Sequence, residues 1–139
     1  MSADVINGLI TFLKADSPMA ALVGTRVFGI ELPASEAGSM PRKAVVLKPT
    51  PGSTLTDGSY LEHTGQRIDA FSYGETPFES ERVRRAVFDA FKALQRKVSA
   101  AVLIHWCEPA GGFANLRDPD AGWPVNFQSF QAFYAETAV

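Results

Sequence analysis

The feature that most constrains this chain is one long amphipathic helix pattern, "ETPFESERVRRAVFDAFKALQRKV", at residues 75–98. Thr76 is a good N-cap, Pro77 follows at the first helical position, and Glu79 completes a capping box with Thr76. At about 100° per residue, Val83, Ala86, Val87, Ala90, Phe91, Leu94 and Val98 fall within one apolar arc. Glu81, Arg85, Asp89, Lys92 and Arg96 lie opposite, so the helix has one face to bury and the rest of the chain must supply the apolar layer beneath it. Phe88 breaks the division by projecting on the polar side among Arg84, Glu81 and Lys92. It reads either as an aromatic tucked under a neighbouring loop or as an interface residue.

The layer beneath is read as strands. The chain opens with a helix from Ala3 to Ala15, capped by Ser2, with Asp4 in the first turn and Val5, Ile6, Leu9, Phe12 and Leu13 on one face. A shorter helix is expected at Pro18 to Val23, capped by Ser17 and ended by Gly24 in a left-handed conformation. A brief strand at Arg26 to Phe28 follows, then a Pro/Gly/Ser-rich loop from Glu31 to Pro41. "RKAVVLK" is the next strand, and Pro49 and Pro51 require its end to lie at an edge or to leave the sheet. Asp57-Gly58 is a turn signal, and the stretch from Thr54 to Tyr73 reads as a long hairpin arm or as a loop followed by a strand. In "QRIDAFSY", Ile68 and Ala70 alternate with Arg67 and Asp69. "AAVLIHWCE" is a near-continuous apolar strand, "PAGGFANLRDPDAGWP" a second loop, and "VNFQSFQAFYAE" a closing strand. In that last strand Phe127 and Phe133 point one way and Phe130 and Tyr134 the other, which demands two covered faces or a bulge. The order predicts an α+β fold: an antiparallel (mixed) sheet of about four to five strands with one long and one or two shorter helices packed on one face. Without internal repeats or a linker, residues 1–139 are expected to form one domain.

Composition excludes several functions. With 46% hydrophobic and 20% charged residues, the chain has the balance of a globular rather than a disordered protein. A net charge of −2 gives no basic footprint of a dedicated nucleic-acid binder. No apolar run reaches the roughly 18 residues of a membrane span, and the start lacks the pattern of a signal peptide, so a soluble intracellular protein is expected. Cys107 is the only cysteine, which rules out an intrachain disulfide and a cysteine-rich zinc site. On a strand His105 and Cys107 would share a face, so a Cys–His nucleophile pair is conceivable, although a buried thiol beside a satisfied histidine accounts for the same residues. Metal binding by His63, His105 and Cys107 would require the preceding loop to fold back onto the strand, and no zinc-type spacing is present. The glycines of "GTRVFG" and "PAGG" form no phosphate-binding motif, Asp118 and Asp120 lack the ligand ladder of a calcium loop, and "RVRR" reads as a solvated helix face. No catalytic residue, metal or cofactor is therefore expected. What remains is an excess of loop, carrying Phe113 and Trp123, that suits contact with other chains.

Four phrases in order resemble the tail-completion, or tail-terminator, proteins of siphophage-type tails. They are "LKADSPMAALVGTRVFGIELP", "PRKAVVLK", "QRIDAFSYG" followed by "FESERVRRAVFDAFKAL", and "LRDPDAGWPVNFQSFQAFY". The resemblance implies a structural, non-enzymatic virion protein, made in the host cytoplasm. It would form a homo-oligomeric ring, typically hexameric, on the head-proximal end of the tail tube. Such a ring ends polymerisation of the tail tube protein, docks the head-tail connector or stopper protein, and lets DNA pass without specific binding. A net-acidic chain suits a conduit that should not grip DNA. In this reading the interface residues are Thr54, Leu55, Asp57, Tyr60, His63, Arg84, Arg85, Phe88, Phe113 and Trp123, with the Thr54 to His63 region supplying one docking face. The alternatives are a head-side neck connector, a small α+β enzyme or ligand-binding domain using His105 and Cys107, and a homo-oligomeric scaffold unrelated to phage.

Overall fold

The protein was analysed as a computed structural model that describes residues 2–51 and 63–139. Among these the elements run α1 (Val5–Ala15), α2 (Ser17–Val23), β1 (Val27–Gly29), α3 (Ala34–Ala37) and β2 (Ala44–Thr50). There follow β3 (His63–Tyr73), α4 (Pro77–Ala93), β4 (Lys97–Ser99), β5 (Val102–Arg117) and β6 (Pro124–Ala135). The Asp57-Gly58 turn and the proposed hairpin arm lie outside the described residues.

The helices start where side chains can satisfy their first amides. Asp4, rather than Ser2, caps α1 by accepting from the Asn7 amide at 3.1 Å. Asp16, rather than Ser17, caps α2 by accepting from the Met19 amide at 3.2 Å. Thr76 caps α4 as expected, accepting from the Glu79 amide at 3.2 Å, and the Glu79 carboxylate reaches back to the Glu75 amide at 2.9 Å. The four-residue helix α3 lies inside the segment expected to be loop.

The strands form one sheet in the order β1-β2-β3-β6-β5-β4, with β1 parallel to β2 and the other neighbours antiparallel. Six strands exceed the expected four to five, and the extra one, β4, comes from the stretch assigned to the end of the long helix. α4 stops at Ala93; Leu94 turns extended and stays buried, while Val98 sits in β4 at 54% exposure instead of under the helix. Ala100 and Ala101 then form the two-residue turn between β4 and β5, both with positive φ (49° and 64°). Such turns ordinarily carry Asn-Gly, so the sequence offered no turn signal here.

A second departure lies in β5. "PAGGFANLR" was expected to be loop, yet β5 continues through it to Arg117 and pairs with β6 as far as Arg117–Pro124. The glycines serve a bulge: between the pairs Pro109–Phe130 and Phe113–Gln128, three residues of β5 stand opposite one of β6, and Gly111 takes φ 145°. Only Asp118 to Trp123 remain as the turn, held by the Asp118 carboxylate accepting from the Asp120 and Ala121 amides.

At the other side of the sheet, Pro49 behaves as an edge residue. β1 covers β2 only at Val45 to Leu47, and the Val45 amide and Leu47 carbonyl face that neighbour. Pro49 has the same parity, so its missing N–H falls on the uncovered side and costs no ladder bond.

Helices α1, α2 and α4 all pack on one face, against Val45, Leu47, Ile68, Ala70, Ile104 and Phe130 of the sheet. Phe91 of α4 meets Phe130 edge-on at 5.0 Å, and fully burying one such ring contributes about 2–3 kcal/mol. Replacing the strained turn by Ala100→Asn with Ala101→Gly should raise the unfolding free energy by about 1–2 kcal/mol, measured by urea denaturation. A destabilised double variant would contradict the left-handed turn.

Candidate interaction surface

Among the described residues the opposite face of the sheet carries no helix, and its side chains follow from strand alternation and register. Phe28, Val46, Phe71, Phe127 and Ala114 stand in one row across β1, β2, β3, β6 and β5. Phe71 and Phe127 are 5.4 Å apart, and beside them Tyr73 meets Trp123 edge-on at 6.3 Å. Burial, and then the charge of Asp118, pushes the Tyr73 phenol above its ordinary value, so the hydroxyl stays neutral. Next comes a polar band: Lys48, Asp69 and Ser129 in one row, Arg67, Gln131 and Glu108 in the next. The Ser129 hydroxyl donates to Asp69 at 2.6 Å and accepts from Arg67 at 3.3 Å. The Arg67 Nε and Gln131 Nε2 donors, adjacent in register, are shielded from solvent yet have no acceptor among the described residues.

Beyond the band lies a second aromatic group. Trp106 packs on Phe133 at 5.6 Å, and the His105 and His63 rings flank Phe133 at 5.2 and 5.9 Å. His63 Nδ1 and His105 Nε2 are 3.0 Å apart. Burial, then His63, then Arg96 hold His105 below the ordinary histidine value. A face left to solvent on an antiparallel sheet normally alternates to polar residues; this one places aromatics at those positions on both sides of a polar band.

At the β1–β2 edge, residues 30–32 fold over the first aromatic row and leave a depression of about 220 Å³ lined by Ile30, Leu32, Val46, Lys48, Phe71 and Tyr73. Ile30 is 52% exposed and holds φ 71°, a conformation that costs a β-branched residue about 1–2 kcal/mol. It is fixed there because its amide donates to the Leu47 carbonyl at 2.8 Å. Strain of this kind, kept at an exposed apolar rim, is what functional sites retain.

The structure distributes the expected interface residues differently. Thr54, Leu55, Asp57 and Tyr60 lie outside the described residues, while His63 and Trp123 are on the open face. Arg84 is not on a solvated helix face: it is 7% exposed on the helix-covered side of the sheet. Its guanidinium donates to both Glu81 oxygens at 2.9 and 2.6 Å and to Gln128 at 3.0 Å, and stacks 3.8 Å above the Phe113 ring. Phe113 thus lids Arg84 while staying half exposed, and Phe88 packs partly buried against the core. Arg85 remains exposed. His105 and Cys107 do not share a face. Alternation from the buried Ile104 puts His105 on the open side, and the register shift between Ile104 and Trp106 keeps Trp106 there too and returns Cys107 to the core, where burial and then Glu108 push its thiol far up. The Cys–His pair is therefore split, whereas His63 and His105 do meet. Sequence reading missed the partly exposed Phe28, Ile30, Phe71 and Phe133 as a surface, with Val46 buried among them; the two parities of aromatics in the closing strand were the signal for it.

In class, the protein is a mixed α+β fold whose six-stranded sheet is helix-covered on one face. That fold recurs in a chain from the virion of a native gene transfer agent (GTA) particle, at a TM-score of 0.67 and 17% identity over 94% of each chain. No family model and no curated protein matches the chain by sequence. Among the described residues no helix is long and apolar enough to cross a membrane.

The Arg84 network makes a testable electrostatic claim. Hydrogen bonds from Arg84 hold the Glu81 carboxyl below its ordinary value; burial opposes this, and the charges of Arg84 and Arg85 and a bond from Asn126 reinforce it. A depressed carboxylate contributes stability above the unfolded value of about 4.3 and loses it as pH falls through the lower folded value. Glu81→Gln should cost about 2 kcal/mol at neutral pH, the value of hydrogen bonds to a charged group, and in urea unfolding the gap to wild type should shrink from about pH 6 to about pH 3. A gap independent of pH would contradict the ion pair's role.

Proposed function

We propose that this chain is a structural protein of a phage-type virion, a tail terminator that closes the head-proximal end of the tail tube as a homo-oligomeric ring. The observation that carries the reading is the sheet face on which, among the described residues, no helix packs and two aromatic groups flank a polar band whose Arg67 Nε and Gln131 Nε2 have no acceptor. A chain that worked alone in solution would gain nothing by leaving such a surface open. The shared fold with a chain of a GTA virion supports an assembly role, and the order of the tail-completion phrases supports the terminator position. In this reading the protein is not an enzyme. The His105–Cys107 pair that the enzyme alternative requires is divided between two faces of the sheet. The ring is generated by head-to-tail contacts that close by rotation, with the open face meeting a neighbouring subunit or the tube.

Electron microscopy of particles made after inactivating the gene in its parent phage or prophage tests the proposal. Full heads unjoined from tails of abnormal, overgrown length are the expected result. Unjoined heads beside tails of normal, closed length would move the protein to the head side of the neck, and normal joined particles would overturn the virion role. Ile30→Asn provides a finer test: it should relieve the positive-φ strain by about 1 kcal/mol yet reduce head–tail joining about tenfold. A stabilised variant that joins normally removes the Ile30 rim from the docking face.

A further inference from the structure

We infer that two copies of this chain pair through α4 about a two-fold axis, the helices antiparallel, with Phe78 of each seated in the groove between α2 and α4 of the other. The pairing belongs to the free protein and does not rest on the terminator reading. Helix α4 lies on the covered side of the sheet, so the open face is left untouched.

Phe78 is 85% exposed in the first turn of α4. An arc of about 100° of the helix carries it together with Arg82, Arg85, Ala86, Asp89 and Ala93. Further along this stripe a groove of about 400 Å³ opens between α2 and α4, with Pro18 and Leu22 on one wall and Ala86, Ala90 and Ala93 on the other. A space of about 150 Å³ already accommodates benzene, so a phenyl ring fits. One helix face thus carries a knob at its start and a socket towards its end, which a two-fold axis brings together twice.

Charge sets both the occupant and its direction. With the axis between Arg85 and Ala86, Phe78 falls opposite Ala93, Arg82 opposite Asp89, and Arg85 opposite Ala86 of the other copy. Arg82 and Asp89 are exposed and have no ion-pair partner among the described residues. Antiparallel pairing therefore supplies two intermolecular ion pairs. A parallel copy would set Arg82 against Arg82 and hold Phe78 away from the groove. A uniformly basic or acidic partner would meet like charge at Arg82 or at Asp89. Contact between two 17-residue helices falls below about 1,200 Å² in total, the low end of specific interfaces, and the expected dissociation constant is about 10 μM.

Sedimentation equilibrium of the purified full chain from about 1 to 300 μM tests the pairing. A monomer–dimer equilibrium is the expected result. Phe78→Ser, Arg82→Asp and Asp89→Arg should each weaken it about tenfold or more, with native circular dichroism because all three side chains are exposed. An equimolar mixture of the Arg82→Asp and Asp89→Arg chains should recover the dimer, since opposite charges then meet at both contacts. Wild-type protein that stays monomeric throughout the range would overturn the pairing, whether or not any variant folds. So would a dimer or ring that both charge reversals leave intact, because self-association would then use another surface. A mixture no more dimeric than either variant alone would overturn the antiparallel register.

Discussion

The rest of the structure depends on the two-sided packing of β6. Its neighbours β3 and β5 pair with it along most of its length, so it is the most internal strand of the sheet. On one face Phe130 is fully buried against Phe91 of α4; on the other, Phe127 and Phe133 anchor two separate aromatic groups. A strand of this kind cannot slip by one residue without exchanging Phe130 for a polar neighbour in the core. The register of β3 and β5 is fixed with it, and so is the placement of His63, His105, Arg67 and Gln131 on the open side. The closing strand's two parities needed no bulge: β6 runs in unbroken register with β3, sending Phe130 and Tyr134 to one face and Phe127 and Phe133 to the other, while the register shifts lie in its pairing with β5.

Much of the core was legible because local signals and tertiary packing agreed. The Thr76-Pro77-Glu79 start of α4, the Gly24 end of α2 and the alternation in "QRIDAFSY" each have a local physical cause that survives in the fold. The misses share another cause. Ala100-Ala101 adopts a left-handed turn, held by the local pairing of β4 with β5, and Ala110 to Gly112 forms a bulge held by pairing with β6; in both places strand pairing overrides what the short sequence prefers. The surface was harder to see than the core. Arg84 reads as one more solvated arginine in "RVRR", and only the folded chain brings Glu81, Gln128 and Phe113 around it. Likewise His63 and His105 are far apart in sequence and meet because β6 inserts between their strands.

The Arg84 cluster and the open face use charge in opposite ways. Arg84 has acceptors for Nε and both terminal nitrogens, and its partners come from α4 itself and from β6. It therefore docks the helix on the sheet in one orientation, and such a satisfied buried ion pair adds specificity of packing more than net stability. Arg67 on the other face is only partly satisfied among the described residues, beside a Gln131 Nε2 donor that has no acceptor among them. Buried donors left without acceptors cost about 1–3 kcal/mol each. A sequence able to satisfy every hydrogen-bonding atom of one arginine on the covered face has no chemical obstacle to doing so on the other.

That asymmetry bears on what the open face is for. Partly buried aromatics alone would be compatible with any sticky surface, and a polar band alone with an ordinary solvated sheet. In the proposed ring, their alternation across the sheet, with apolar groups at both ends and donors in the middle, would set a register for the neighbour to match with an acceptor between two apolar contacts. Hydrophobic contact would supply the affinity in such an arrangement, and donors without an acceptor among the described residues would penalise a neighbour that seats out of register. A subunit that closes a ring must reject slightly rotated neighbours, since a small angular error repeated at each contact yields an open helix instead of a closed ring. The polar band between two aromatic groups is the kind of surface that enforces one angle.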